Sequence, residues 1–275
     1  MGLGNTIDPW LWLGGSALLA VAASQVLWNL ERTAEPDSWP SRIPDWYRHS
    51  SAAQLLRLVY YLCLPFAALL WGRDAVIGRL LGLQSVSFVT LITSNPAAGA
   101  VANWTDWIRD LGWAGGLAAL AWAVLGAGWL LMRRTFNRPR PTGQPSGWTS
   151  LREAVFHETH WAFYRNGPAV ALGPYYGAWM GLGLVILEAL LNPYWRAGLQ
   201  DPQLAAGYLV RAGTAVLSAV LFLQTQNLGL AIAAHWAVTW GFAATVQADL
   251  LGPQAQGSSQ PRETATATPW DTDFH

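Results

Sequence analysis

The sequence predicts an all-α, polytopic transmembrane helix bundle of about seven spans, with an extra re-entrant or interfacial segment. Three observations carry this expectation. Only 12% of the 275 residues are charged while 52% are hydrophobic, against about a quarter charged in a soluble domain of this size. The apolar residues fall in runs of about 20, the length that crosses roughly 30 Å of hydrocarbon. Tryptophans gather near the ends of those runs (Trp10, Trp12, Trp28, Trp71, Trp104, Trp107, Trp113, Trp129, Trp195), where an amphipathic ring keeps its N–H wet at the headgroup boundary.

In chain order, residues 10–30 form the first span. The residues before it lack the basic n-region and small-residue cleavage site of a signal peptide, so they lead into a retained helix. A linker rich in Pro, Ser, Asp and Arg follows over 31–51, and 55–71 is the second span, tolerating Pro65 as membrane helices do. Residues 73–84 alternate Arg with aliphatic side chains like an interfacial helix. The stretch 85–104, broken by Asn95-Pro96, reads as weak or re-entrant. Residues 112–132 span again and are closed by Arg133-Arg134. The Pro- and Gly-containing 135–147 must be an exposed loop. A polar helix over 149–165 and spans over 168–191, 204–223 and 228–248 complete the bundle. Residues 1–251 are thus one membrane domain with its motif-bearing half at 149–250, and 252–275 read as a disordered tail by composition.

Arg133, Arg134, Arg138 and Arg140 form the strongest basic cluster, which the positive-inside rule assigns to the cytoplasm. That places the N-terminus outside and the C-terminus inside a multi-pass protein of the cell membrane. If 85–104 crosses fully, the N-terminus and first linker exchange sides. A formal net charge of zero argues against a nucleic-acid partner. The lone Cys63 excludes an intrachain disulfide or a cysteine zinc site.

Ionisable residues at membrane depth are costly and mark function by default. They concentrate in 149–165: at about 100° per residue, Glu153, His157, His160 and Tyr164 share one stripe, with Glu158, Trp161 and Arg165 on the next. The last span adds His235, preceded by Gln224, Gln226 and Asn227. A carboxylate beside an imidazole can activate water, as a general base or while sharing a divalent metal, for which His157, His160 and His235 are the candidate ligands. The spacing His157-Glu158-Thr159-His160 has one residue too few for the HExxH zinc pattern. Glu188 and Arg211 are read as structural, and His49 and His275 lie in the first linker and at the last position.

The stretch Glu153…Glu158…Trp161-Ala162-Phe163-Tyr164-Arg165-Asn166-Gly167, with Asn227-Leu228 leading to His235, resembles the CAAX-protease and bacteriocin-processing (abortive-infection) family of membrane proteins. The resemblance covers the C-terminal half. It implies an intramembrane endopeptidase acting on peptide or membrane-protein substrates, with a glutamate activating water and histidines assisting. Carried over by position, Arg165 matches the first-motif Arg and His235 the last-motif His. Glu158 stands for the displaced glutamate pair, with His160 and Glu153 as further catalytic candidates. The chain departs from the pattern in lacking the middle Phe-xxx-His motif and in carrying Thr239 four residues after His235. Two other readings stay open: an inactive peptide-binding scaffold, and a cofactor protein with His160 and His235 as axial ligands.

Overall fold

The structure is a computed structural model and describes residues 4–35, 38–39, 42–43, 46, 50–71, 104–135, 146–201 and 204–250. Every element among them is helical: α1 (Gly4–Thr33), α2 (Ser51–Leu58), a π-helical turn (Val59–Cys63), α3 (Leu64–Trp71), α4 (Trp104–Thr135), α5 (Gly147–Leu172), α6 (Pro174–Leu191), α7 (Pro193–Gln200), α8 (Ala205–Thr225) and α9 (Leu228–Leu250). The expected interfacial helix over 73–84, most of the re-entrant stretch over 85–104, the heart of the Arg-rich loop and the tail lie outside the described residues.

Five helices are long and apolar enough to cross a membrane: Trp10–Thr33, Trp107–Met132, Pro174–Leu191, Ala205–Thr225 and Leu228–Val246. Their outer faces carry exposed Leu, Val, Ile and Trp, which only lipid can cover. The helix of α2, the π-turn and α3 is apolar over Ala52–Ala68 but shorter. Its π-turn directly precedes Pro65, whose missing N–H would otherwise leave a gap in an α-helical ladder. The widened turn aims Tyr60 and Tyr61 into the bundle, where both are buried.

The fifth helix is different in kind. Every residue from Phe156 to Ala169 is buried, because α5 is packed by α6, α9, α1 and the π-turn with α3. This explains how a helix with Arg152, Glu153, His157, Glu158, His160 and Arg165 can sit at membrane depth: its middle has no face toward lipid.

Two boundaries differ from the sequence expectation. The break expected between 165 and 168 is absent, since α5 runs through Pro168 and stops at Gly173, whose φ of 91° suits glycine alone. Pro174 then opens α6 at a position where its lost N–H has no helical partner anyway. Likewise α4 starts at Trp104 instead of 112, running straight through Gly112. In lipid an unwound turn would strand backbone hydrogen-bonding groups, so glycine alone does not end a helix there.

The α5–α6 hairpin is unusually close. A Cβ on Gly177 would lie 2.4 Å from that of Ala169, and one on Gly181 would lie 2.5 Å from Arg165 Cγ. Gly177 and Gly181 are four apart, the small-xxx-small spacing that lets membrane helices touch backbone to backbone. On the other side of the bundle α4 packs on α8 and α9 through Ala114, Leu217, Leu221, Leu230, Ala234 and Val238.

Candidate functional site

The polar residues of α5 separate into distinct clusters, because positions two apart lie about 200° apart on a helix. On one side Glu158 is fully buried, at 0% exposure. Its Oε1 lies 3.0 Å from His235 Nδ1, while its Oε2 accepts a hydrogen bond from Ser218 Oγ. Arg165, two turns further along α5, donates to Ser218 Oγ at 2.7 Å and approaches Glu158 Oε2 at 3.8 Å. Its guanidinium also covers the Phe222 ring at 4.9 Å. The helices bearing Glu158 and His235 are neighbours, and an Arg–Ser–Glu–His chain links α5, α8 and α9.

The chain has a chemical direction. An ionised carboxylate only accepts hydrogen bonds, so Glu158 holds the proton of a neutral His235 on Nδ1 and leaves Nε2 as the basic nitrogen. The imidazole is fixed further by stacking on Trp161 at 5.3 Å and on His157 at 5.9 Å between centroids.

Across α5 sits the second cluster. His160 Nε2 lies 3.3 Å from Tyr60 Oη, which also contacts Ser16. Tyr164 donates to Glu188 Oε2 at 2.6 Å, and the same oxygen is 3.9 Å from His160 Nε2. Tyr61 stands edge-on between His157 and His160, at 5.6 and 5.2 Å. Nearer the start of α5, Glu153 is clamped by Arg57 at 2.5 Å and by Arg152 at 3.1 Å.

Two cavities border these groups. A small one of ≈ 30 Å³ is lined by polar residues, Ser150, Glu153, His157, Arg211, His235 and Thr239 among them, together with Val210. The hydroxyl oxygens of Ser150 and Thr239 are buried there without a hydrogen-bond partner among the described residues. A space of that size bordered by two unpaired hydroxyls can admit a water. The second cavity, of ≈ 210 Å³, lies among α5, α6, α7 and α8, with apolar walls and His157, His160, Glu188 and Arg211 among its lining. His157 and Arg211 border both.

Of the residues singled out in the sequence, the structure brings Glu158, Arg165 and His235 together and places His157 beside them. It does not bring His160 to that group: His160 faces Tyr60 and Glu188. Nor does it leave Glu153 open as a base, since two guanidiniums flank it. Glu158 itself, expected to activate a water, lines neither cavity, and both its oxygens are engaged by protein groups. Among the described residues no three His, Cys, Asp or Glu side chains are grouped to hold a metal ion. His160 and His235 do not line a common wall in either of these two cavities.

Sequence reasoning missed Ser218 and Arg57. A single serine in an apolar helix carries no signal, whereas Arg57 inside an apolar run did carry one. Compared with protein-family models, with curated proteins and with solved structures, the chain matches none.

Proposed function

We propose that the chain is an intramembrane hydrolase of the endopeptidase kind, in which His235 rather than Glu158 takes the proton of the attacking water. The observation that carries this reading is the buried Glu158–His235 pair at 3.0 Å, with His235 on the wall of a water-sized cavity. Glu158, held by Ser218 and Arg165, fixes the tautomer of His235 and stabilises the imidazolium that forms when Nε2 accepts a proton. Ser150 and Thr239 supply hydroxyls for the water, and Arg211 on the same wall offers a cation to the developing oxyanion. The resemblance in the two motifs points to the same class, with a peptide or membrane protein as substrate.

The proposal includes a topology. Seven helices alternate in direction through the cell membrane, and the end of the bundle carrying residues 133–140 faces the cytoplasm. The small cavity then takes its water from that side, toward which Thr149 and Ser150 near the start of α5 lead.

The test is cleavage of quenched-fluorescent peptides rich in apolar residues by the detergent-purified chain. His235→Ala should reduce turnover by roughly 10²–10⁴ with unchanged yield of folded protein. A wild-type chain without activity on any such peptide, or a His235→Ala variant as active as wild type, refutes the reading. One observation favours a second reading, a peptide-binding scaffold: every oxygen of Glu158 has a protein partner, as in a purely structural lock. On that reading Glu158→Gln is silent in any functional assay.

A further inference from the structure

We propose that the ≈ 210 Å³ cavity among α5, α6, α7 and α8 receives one large aliphatic or aromatic side chain of a peptide substrate, beside the bond that is cut. The cut itself rests on the hydrolytic reading, whereas the seating of the side chain is measured separately from turnover.

Position is the first argument. The rings of Trp161 and His157 stack on His235 at 5.3 and 5.9 Å between centroids. The same two residues line the cavity, whereas His235 does not. One layer of rings therefore separates an occupant of the cavity from the imidazole that takes the proton. His157 and Arg211 border both this cavity and the water-sized one. A peptide whose side chain fills the larger space has its backbone carried to that shared edge, where the neighbouring peptide bond meets the smaller one. Access is from the membrane. Ile186, Leu190 and Val216 line the cavity and are exposed, so it is open on the outer face of α6 and α8, where a membrane-embedded peptide arrives.

Size and polarity decide the kind of occupant. An apolar cavity of about 150 Å³ is enough for benzene, so ≈ 210 Å³ holds a leucine or phenylalanine side chain. The charged residues of the lining gather at one end: Glu188 lies near the end of α6, Arg196 within α7 and Arg211 near the start of α8. The middle is walled instead by Trp161, Leu182, Val185, Ala215 and Val216. Those walls offer no hydrogen bond to a polar side chain, which would lose its water without compensation. An apolar side chain gains with every methylene it buries there. Ala212 and Ala215 keep the α8 wall thin, so the space depends on their small size.

Two measurements on the full chain in non-ionic detergent separate the pocket from the chemistry. Quenched-fluorescent peptides of one apolar sequence, differing only in Leu, Phe or Ala at the central residue, should differ in kcat/KM by at least about tenfold in favour of Leu and Phe. Ala212→Trp, at an exposed position on α8 that borders the cavity, should keep the yield of folded protein. It should also bring the three peptides to within about twofold of one another. The same peptide with photoleucine at its centre should, on irradiation, label Trp161, Leu182 or Ala215 of the wild-type chain. Excess Leu peptide should remove that label, and excess Ala peptide should not. Labelling needs no turnover, so a label on those residues in a chain that cleaves nothing upholds the side-chain site and refutes only the hydrolytic reading. Cleavage without preference among the three peptides, or label confined to the outer residues Ile186 and Leu190, overturns the pocket and leaves hydrolysis standing.

Discussion

Ser218 is the residue on which the chemistry of Glu158 turns. Its hydroxyl accepts from Arg165 and donates to the carboxylate, so one small side chain keeps a buried cation and a buried anion in register. Removing the cation leaves the anion uncompensated: Arg165→Ala should cost about 3–5 kcal/mol and show as loss of folded protein in the membrane fraction. Glu158→Gln keeps the shape but leaves the buried Arg165 without its anion, so it too should lower the amount of folded protein, and turnover is compared per folded molecule. On the hydrolytic reading it should still lower turnover by roughly 10²–10⁴, since an amide can present an N–H to His235 and fix the wrong tautomer. Normal turnover in Glu158→Gln at normal abundance would remove Glu158 from the chemistry proposed for it. At this scale the sequence was informative where polarity is rare. Glu158, Arg165 and His235 stood out as ionisable groups in apolar surroundings, and they meet. What it could not supply was the partner of each. A helical wheel fixes the angle between Glu158 and His160, yet says nothing of which neighbour waits on either side, so His160 was grouped with the wrong carboxylate.

Among the elements, the α5–α6 hairpin is the most sharply constrained. Gly181 lies against the backbone and Cγ of Arg165, whereas a Cβ on Gly183 would meet nothing within 4 Å. Gly181→Ala should therefore destabilise by about 1–3 kcal/mol through forced separation of the helices. Gly183→Ala, two residues away, should be neutral or slightly stabilising. Thermal unfolding of the two variants side by side checks both statements, and equal effects would contradict the close approach. The glycine spacing was visible in the sequence without its meaning, because small-xxx-small marks contact within a chain and between chains alike. The π-turn was not visible at all. Pro65 announced a disturbance in the helix, but a kink, a break and a widened turn answer a missing N–H equally well. The true end of α5 was misplaced for a similar reason: Gly167-Pro168 looks like a stop, while the stop is Gly173, distinguished only by its φ of 91°.

For the whole molecule, the membrane nature of the fold was written in composition, since five long apolar helices need no tertiary information to be recognised. Orientation rests on the arginines of the 133–140 loop. A cysteine placed at Thr142, with Cys63 replaced, should react with a membrane-impermeant maleimide only from the cytoplasmic side. Reaction in intact cells would reverse the topology.

The sealed middle of α5 also has a consequence for how the protein is made. A segment with Arg152, Glu153, Glu158 and Arg165, the first of several such groups costing up to about 2.5–3.5 kcal/mol at mid-bilayer, cannot leave the translocon for lipid by itself. It must wait in the channel or at the surface until α6, and then α8 and α9, arrive to surround it. The order of synthesis thus becomes an order of assembly in which α5 is the last to be committed. A reporter fused after residue 172 should accordingly remain on the cytoplasmic side, the first half of the protein having been inserted and its centrepiece left outside.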